Sequence, residues 1–318
     1  MSKKALVIGN DAYGSAPLFG CCNDAKEVDA ILKANADGSP NFSIALLLNA
    51  DSNEIKRAIH SLFEGKNEIA LLYFAGHGTS EEFESGIVGT DDGIVSFDYI
   101  MSKVKKSKHR HNILIFDSCF SGGAGHSFCC NEDTAALPSG VTIMSACRKN
   151  ETATEQHGSG LFTSLLTDAL NGGASNLIGD VTPGAVYAYI DRCLGPWDQR
   201  PVFKTHVDSF CSIRKTNPPI SLSILRKLPE LFPTPVSTIQ LDPSYEETNS
   251  PTIDHKIIEP HADCNNVAVF RDLQRLAHVG LVIPHGAEHM YFAAMESKGC
   301  RLTPLGSHYW ELAAQKKI

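Results

Sequence analysis

The 318-residue chain exceeds the roughly 100 to 200 residues of one typical domain, so a principal domain with a smaller companion is the first expectation. Hydrophobic residues at 42% and charged residues at 20% are those of an ordinary globular protein and exclude a disordered or fibrous one. A formal charge of −8 and a pI near 5.9 supply no basic face for phosphate, so nucleic acid is not an expected partner.

Residues 4–9 (KALVIG) form a short apolar run that ends at Gly9-Asn10-Asp11, the pattern of a buried strand feeding a loop. Further runs of the same kind are SIALLLNA (43–50), EIALLYFAG (68–76) and HNILIFDS (111–118). Between them, residues 23–35 and 51–64 carry apolar positions at helical spacing, with Asp51 placed as an N-cap. GVTIMSA (140–146) adds a strand, 160–171 and 181–193 read as helices, and RPVFKTHV (200–207) closes the pattern as an edge strand. Strands that alternate with helices predict an α/β domain over 1–213, a mostly parallel sheet with helices on both faces.

From 214 to 262 the prolines at 218, 219, 229, 233, 235, 243, 251 and 260 disfavour regular structure, and the stretch reads as a linker. Helical spacing returns in VAVFRDLQRLAHVGLV (267–282). A hairpin is expected around Met290-Tyr291-Phe292, then a helix in TPLGSHYWELAAQ with Thr303 as N-cap and Pro304 at its first position. This last part, 263–318, resembles a winged-helix fold. Its six Lys or Arg against five Asp or Glu from 260 to 318 favour docking to protein over reading DNA.

The opening MSKKALVIG is too short in apolar residues for a secretory signal, and no apolar run reaches the roughly 18 residues that cross a bilayer. A cytoplasmic protein without a membrane partner is expected. The ten cysteines are irregularly spaced and read as reduced thiols. Neither Cys21-Cys22 nor Cys129-Cys130 has the gap of a zinc knuckle, and no metal site is expected.

Loops beyond the carboxyl ends of parallel strands collect catalytic groups, because side chains there face a crevice on a rigid scaffold. Two such ends carry reactive residues: EIALLYFAG runs into His77-Gly78, and NILIFDS runs into Cys119. On neighbouring strands they would form a dyad, the imidazole raising the thiolate fraction and protonating the leaving amine. Gly78 and Cys119 would offer backbone N–H groups to the developing oxyanion.

YFAGHG followed by DSCFSGG resembles the His and Cys motifs of the caspase and metacaspase peptidases, supported by ALVIGNDAYG, GCCNDA and SACRKNETATE. The resemblance spans 1–213 and implies a caspase-like three-layer sandwich, its sheet of six strands having five parallel and one antiparallel at the edge. It also implies a cysteine endopeptidase with His77 and Cys119 as catalytic residues. Animal caspases carry a pocket arginine where this chain has Leu18, and a glutamine where it has Asp117. Metacaspases instead use two aspartates that match Asp24 and Asp117, a pair suited to guanidinium and less well to ammonium. Cleavage after Arg, then Lys, is therefore expected, in protein or peptide substrates, with Cys21 and Ser145 of the same motifs also lining the substrate site. The bland alternative for Asp24 is an acid favoured by a helix N-terminus.

Many metacaspases require calcium. Asp91, Asp92 and Asp98 are the nearest candidates, but the ion takes about six to eight oxygens. Asp91-Asp92-Gly93 reads better as a hairpin turn, and no cofactor is expected. Basic residues in KVKKSKHR (103–110) and at Arg226-Lys227 are candidate activating cuts, made by this enzyme or by another protease, with a regulatory protein as a further possible partner. By analogy such chains are prokaryotic stress or defence effectors. The competing reading is a catalytically dead caspase-like scaffold that acts as a winged-helix regulator.

Overall fold

The computed structural model describes residues 2–80, 85–120, 137–146, 160–195, 201–250 and 257–318. Ser121-Gly122-Gly123, Cys129-Cys130 and the part of SACRKNETATE beyond Ala146 lie outside the described residues. Contacts divide the chain into two compact units, one of residues 1–175 and 179–217, the other of 176–178 and 218–318.

In the first unit β1 (Lys3–Gly9), α1 (Cys21–Lys33), β2 (Ser43–Leu48), α2 (Ser52–Phe63) and β3 (Ile69–Ser80) follow in order. A hairpin of β4 (Ser85–Val88) and β5 (Ile94–Ser96) leads to α3 (Phe97–Lys106) and β6 (His111–Phe120). Then come β7 (Val141–Ser145), α4 (Leu161–Asp168), β8 (Asp180–Val181), α5 (Pro183–Cys193), β9 (Val202–His206) and β10 (Arg214–Lys215). The central sheet has the order β2-β1-β3-β6-β7-β9, parallel throughout except for β9 at the edge. This is the α/β architecture expected from the alternation of apolar runs and helical segments.

The sheet is buried on both faces, which explains the unbroken apolar runs. Leu71 and Tyr73 of β3 pack into one core with Val28 and Leu32 of α1 and Leu166 of α4. Leu72 and Phe74 face the other, with Ile55 and Ile59 of α2 and Ile100 of α3. Asp51 caps α2 as expected, accepting from the Glu54 N–H while Glu54 accepts from the Asp51 N–H.

The second unit corrects the linker expected over 214–262. Its residues form α6 (Leu222–Arg226), α7 (Leu228–Leu231) and β11 (Thr238–Gln240), and Leu225, Leu228, Phe232 and Leu241 are core residues. Pro229 sits in the first turn of α7 and Pro243 opens a 3-10 turn, positions where a missing N–H costs nothing. There follow α8 (Cys264–His278), β12 (Val282–His285), α9 (Met290–Met295), β13 (Gly299–Leu302) and α10 (Pro304–Ala314), with a three-stranded antiparallel sheet in the order β11-β13-β12.

Thr303 caps α10, accepting from the Gly306 N–H at 3.0 Å. The hairpin expected at Met290-Tyr291-Phe292 is instead the helix α9. Its buried residues Met290, Ala293 and Ala294 are spaced i, i+3, i+4, a helical period that outweighs the strand preference of the aromatic pair.

Candidate active site

The two motif strands are neighbours. β3 and β6 are parallel, and in their register His77 stands opposite Cys119, Gly76 opposite Ser118 and Gly78 opposite Phe120. β1 follows β3 only as far as Gly9 opposite Ala75, and β7 follows β6 only to Ser145 opposite Phe116. Beyond those points β3 and β6 continue past their neighbours, so His77 and Cys119 stand at the crevice edge of the sheet. Gly78 is also the register partner of Ile87 on β4.

His77 is held from three sides. Its Nε2 lies 2.7 Å from the Ala16 carbonyl. A carbonyl only accepts, so Nε2 is the donor and Nδ1 is the nitrogen left with a lone pair in the neutral ring. The Tyr13 ring packs against the imidazole at 4.4 Å between centroids. The Tyr13 hydroxyl accepts from the His77 backbone N–H at 3.0 Å and donates to the Val88 carbonyl at 3.1 Å. Burial, above all, pushes the Tyr13 hydroxyl far above its ordinary pKa, so it stays a donor. Gly76 permits this arrangement, since a Cβ there would lie 2.5 Å from the Tyr13 hydroxyl oxygen.

The two aspartates are buried in the same neighbourhood. Asp24 lies in the first turn of α1, and its Oδ2 accepts from the Gly160 N–H at 3.3 Å, just ahead of α4. A first-turn acid is also what the helix N-terminus favours, although Asp24 does not cap the helix and Asp11 meets its free N–H groups. The Asp11 carboxylate accepts from the Cys21 and Cys22 N–H groups at 2.9 and 3.1 Å. Asp117 Oδ2 accepts from the Thr163 hydroxyl of α4 at 2.7 Å, and that hydroxyl is 2.6 Å from the Tyr73 hydroxyl of β3. Desolvation first, then Asp11, Asp117 and Asp24, drive the Cys21 thiol far up from its ordinary pKa. Cys21 is thus a neutral group near Asp11, Asp24 and Asp117. Ser145 is buried at the end of β7, its hydroxyl donating to the Ala146 carbonyl at 3.4 Å.

The acidic residues considered for calcium sit at a turn and at a helix start. Asp91 accepts from the Ser52 N–H at 2.8 Å and from its hydroxyl at 2.9 Å, which ties the β4–β5 turn to the start of α2. Asp92 occupies that turn with φ 57°, and Asp98 sits in the first turn of α3. Among the described residues no group of three or more His, Cys, Asp or Glu is arranged to hold a metal ion.

Tyr13, the Ala16 carbonyl, Asp11 and Thr163 carry no catalytic signature in the sequence, and Tyr73 opens YFAGHG as part of its apolar strand. Tyr13 and Asp11 do fall in ALVIGNDAYG, a phrase whose residues converge on His77 and α1.

A six-stranded sheet with one antiparallel edge, and a His opposite a Cys at its projecting strand ends, define the caspase-like class of α/β proteins. A caspase-domain model matches residues 2–188, more than half of the chain, and the chain belongs to that family. Metacaspase-1A of Neurospora crassa is 30% identical over 144 residues, which are 38% of this chain and only 32% of that protein. Two crystal structures share the fold at a TM-score of 0.51. A Geobacter sulfurreducens protein, 19% identical, is matched over 69% of this chain and 98% of its own. Caspase-1 of Spodoptera frugiperda, 13% identical, is matched over 68% and 91%. No described helix is long and apolar enough to cross a membrane.

Proposed function

We propose that the chain is a caspase-type cysteine endopeptidase that cleaves after Arg, and less readily after Lys, with Cys119 as nucleophile and His77 as acid/base. The observation that carries this reading is the pairing of His77 with Cys119 on strands that outrun their neighbours.

In the proposed reaction Nδ1 of His77 takes the Cys119 proton, since Nε2 is committed to Ala16. The sulfur adds to the scissile carbonyl carbon, and the N–H groups of Gly78 and Cys119 meet the charge on its oxygen. The imidazolium then protonates the leaving amine as the C–N bond breaks, which leaves a thioester. His77 next takes a proton from water, the hydroxide displaces the thioester sulfur, and the thiol is restored.

Arg preference rests on Asp24 and Asp117. Both are buried, and both contribute to raising the Cys21 and Tyr73 pKa values, so they act on one locality. A desolvated pair of carboxylates suits the two-pronged donor of a guanidinium better than the point charge of an ammonium. The test is hydrolysis of matched Arg, Lys and Asp peptide reporters by wild type and Cys119→Ala. The expected order is Arg, Lys, then negligible Asp, with all activity lost in the variant. Preference for Asp overturns the pocket, and undiminished hydrolysis by Cys119→Ala overturns the nucleophile.

A further inference from the structure

Behind Asp117 lies a short polar chain whose middle member, Thr163, belongs to neither the His nor the Cys motif. Tyr73 and Thr163 are both 0% exposed, and Asp117 is 7% exposed, so their hydroxyls and carboxylate must find partners within the protein. A carboxylate accepts, so the Thr163 hydroxyl spends its single proton on Asp117 Oδ2 at 2.7 Å. Its oxygen is then an acceptor, and the Tyr73 hydroxyl at 2.6 Å must be the donor. Both protons therefore point along one line, from the strand β3 through the helix α4 to the carboxylate on β6.

The direction cannot reverse. Desolvation, followed by the negative charges of Asp117 and Asp24, drives the Tyr73 hydroxyl well above its ordinary pKa, so it remains protonated.

We propose that Thr163, oriented by Tyr73, is a positioning residue that fixes the plane of the Asp117 carboxylate and thereby selects Arg over Lys at the cleavage site. This inference rests on the reading of Asp24 and Asp117 as the basic-residue pocket. A guanidinium donates through a rigid planar fork and gains most from a carboxylate already fixed in orientation. An ammonium accepts many orientations and gains less. The relay accordingly adds discrimination as well as affinity. Among the described residues the titratable groups around it include Cys21 and Asp24 from α1, Tyr73 from β3 and Asp117 itself.

The test compares wild type, Thr163→Val, Thr163→Ser and Tyr73→Phe on matched Arg and Lys reporters, with melting temperature recorded for each. Thr163→Val keeps the shape but removes the donor. Its kcat/KM for Arg should fall about tenfold to a hundredfold, the range for a hydrogen bond to a charged group. Its fall for Lys should be several-fold smaller, so the Arg:Lys ratio collapses. The acid limb of the Arg kcat/KM profile should move to higher pH, because a carboxylate deprived of its donor is harder to ionise. Thr163→Ser should restore most of the ratio.

Tyr73→Phe, a milder change, should shift the ratio the same way and keeps the inference testable if Thr163→Val does not fold. A wild-type enzyme without preference for basic residues overturns the pocket reading and this inference together. A wild-type Arg preference that folded Thr163→Val or Tyr73→Phe leaves intact overturns the inference alone.

Discussion

His77 and Cys119 are register partners on adjacent parallel strands, and these strands run beyond β1 and β7 at their sides. Because β1 leaves the sheet at Gly9 and β7 at Ser145, the tips of β3 and β6 project at the carboxyl end of the sheet. The placement of these two positions is therefore a property of strand length and register, fixed by the burial of the apolar residues behind them.

Removing either member of that pair should abolish turnover by different routes. Cys119→Ala is expected to lose both hydrolysis and covalent labelling by an Arg-ketone probe. His77→Ala should lower kcat by about 10² to 10⁴ yet retain slow labelling at raised pH, where thiolate forms without a base. Mass spectrometry of probe-treated protein checks both, and labelling of Cys119→Ala at the wild-type rate would contradict the assignment.

Tyr13→Phe keeps the ring against His77 but removes the hydroxyl that accepts from the His77 N–H, leaving the Val88 carbonyl with the longer 3.4 Å bond from the Asn10 amide. A lost buried acceptor costs about 1 to 3 kcal/mol, or roughly 3 to 9 °C in a domain of this size. Gly76→Ala should be worse, since its Cβ meets the Tyr13 hydroxyl oxygen at 2.5 Å. Melting curves with wild-type midpoints for both variants would show that this contact does not hold the His77 strand end.

The sheet was legible because strands covered on both faces leave continuous apolar runs, and the register pairing of His77 with Cys119 because both residues close such runs at strand ends. What stayed hidden was supplied by atoms without a residue signature. The acceptor for His77 Nε2 is the backbone of Ala16, and the donor for Asp117 is Thr163 on a helix whose sequence shows only helical spacing. Asp11 reaches α1 from ten residues upstream of Cys21 because Gly20, at the N-cap position, has no side chain to offer. In the second unit a count of prolines concealed order, since at helix starts and in turns a proline removes no needed hydrogen bond.

The thiols divide by reactivity. Burial is the leading cause that raises Cys22 and Cys211 from 9.0 to about 11 and Cys300 to about 12, and it carries Cys21 higher still. At pH 8 these four should resist iodoacetamide while the exposed Cys193 and Cys264 react, as peptide mapping would show. The sign for stability follows: below pH 9 the thiols are neutral in both states and their contribution is intact. As pH rises from 9.0 towards 11 or 12 the unfolded chain ionises first, so stability falls. A urea midpoint that does not decline between about pH 8.5 and 10.5 would contradict these shifts.

Arg226 and Lys227, candidate cuts in a presumed linker, lie at the end of α6 and before α7. Leu225 and Leu228 on either side are 0% exposed, and Lys227 pairs with Asp272 of α8 at 2.7 Å. A peptidase takes its substrate extended, and extending this turn would pull both leucines from the core. The native chain should therefore remain uncut there during prolonged incubation. Phe232→Ala, which removes a core ring at a cost of about 3 to 5 kcal/mol, should open the second unit and expose the bond to trypsin. Cleavage after Arg226 or Lys227 in wild type as fast as in Phe232→Ala would mean that the turn opens without loss of the core.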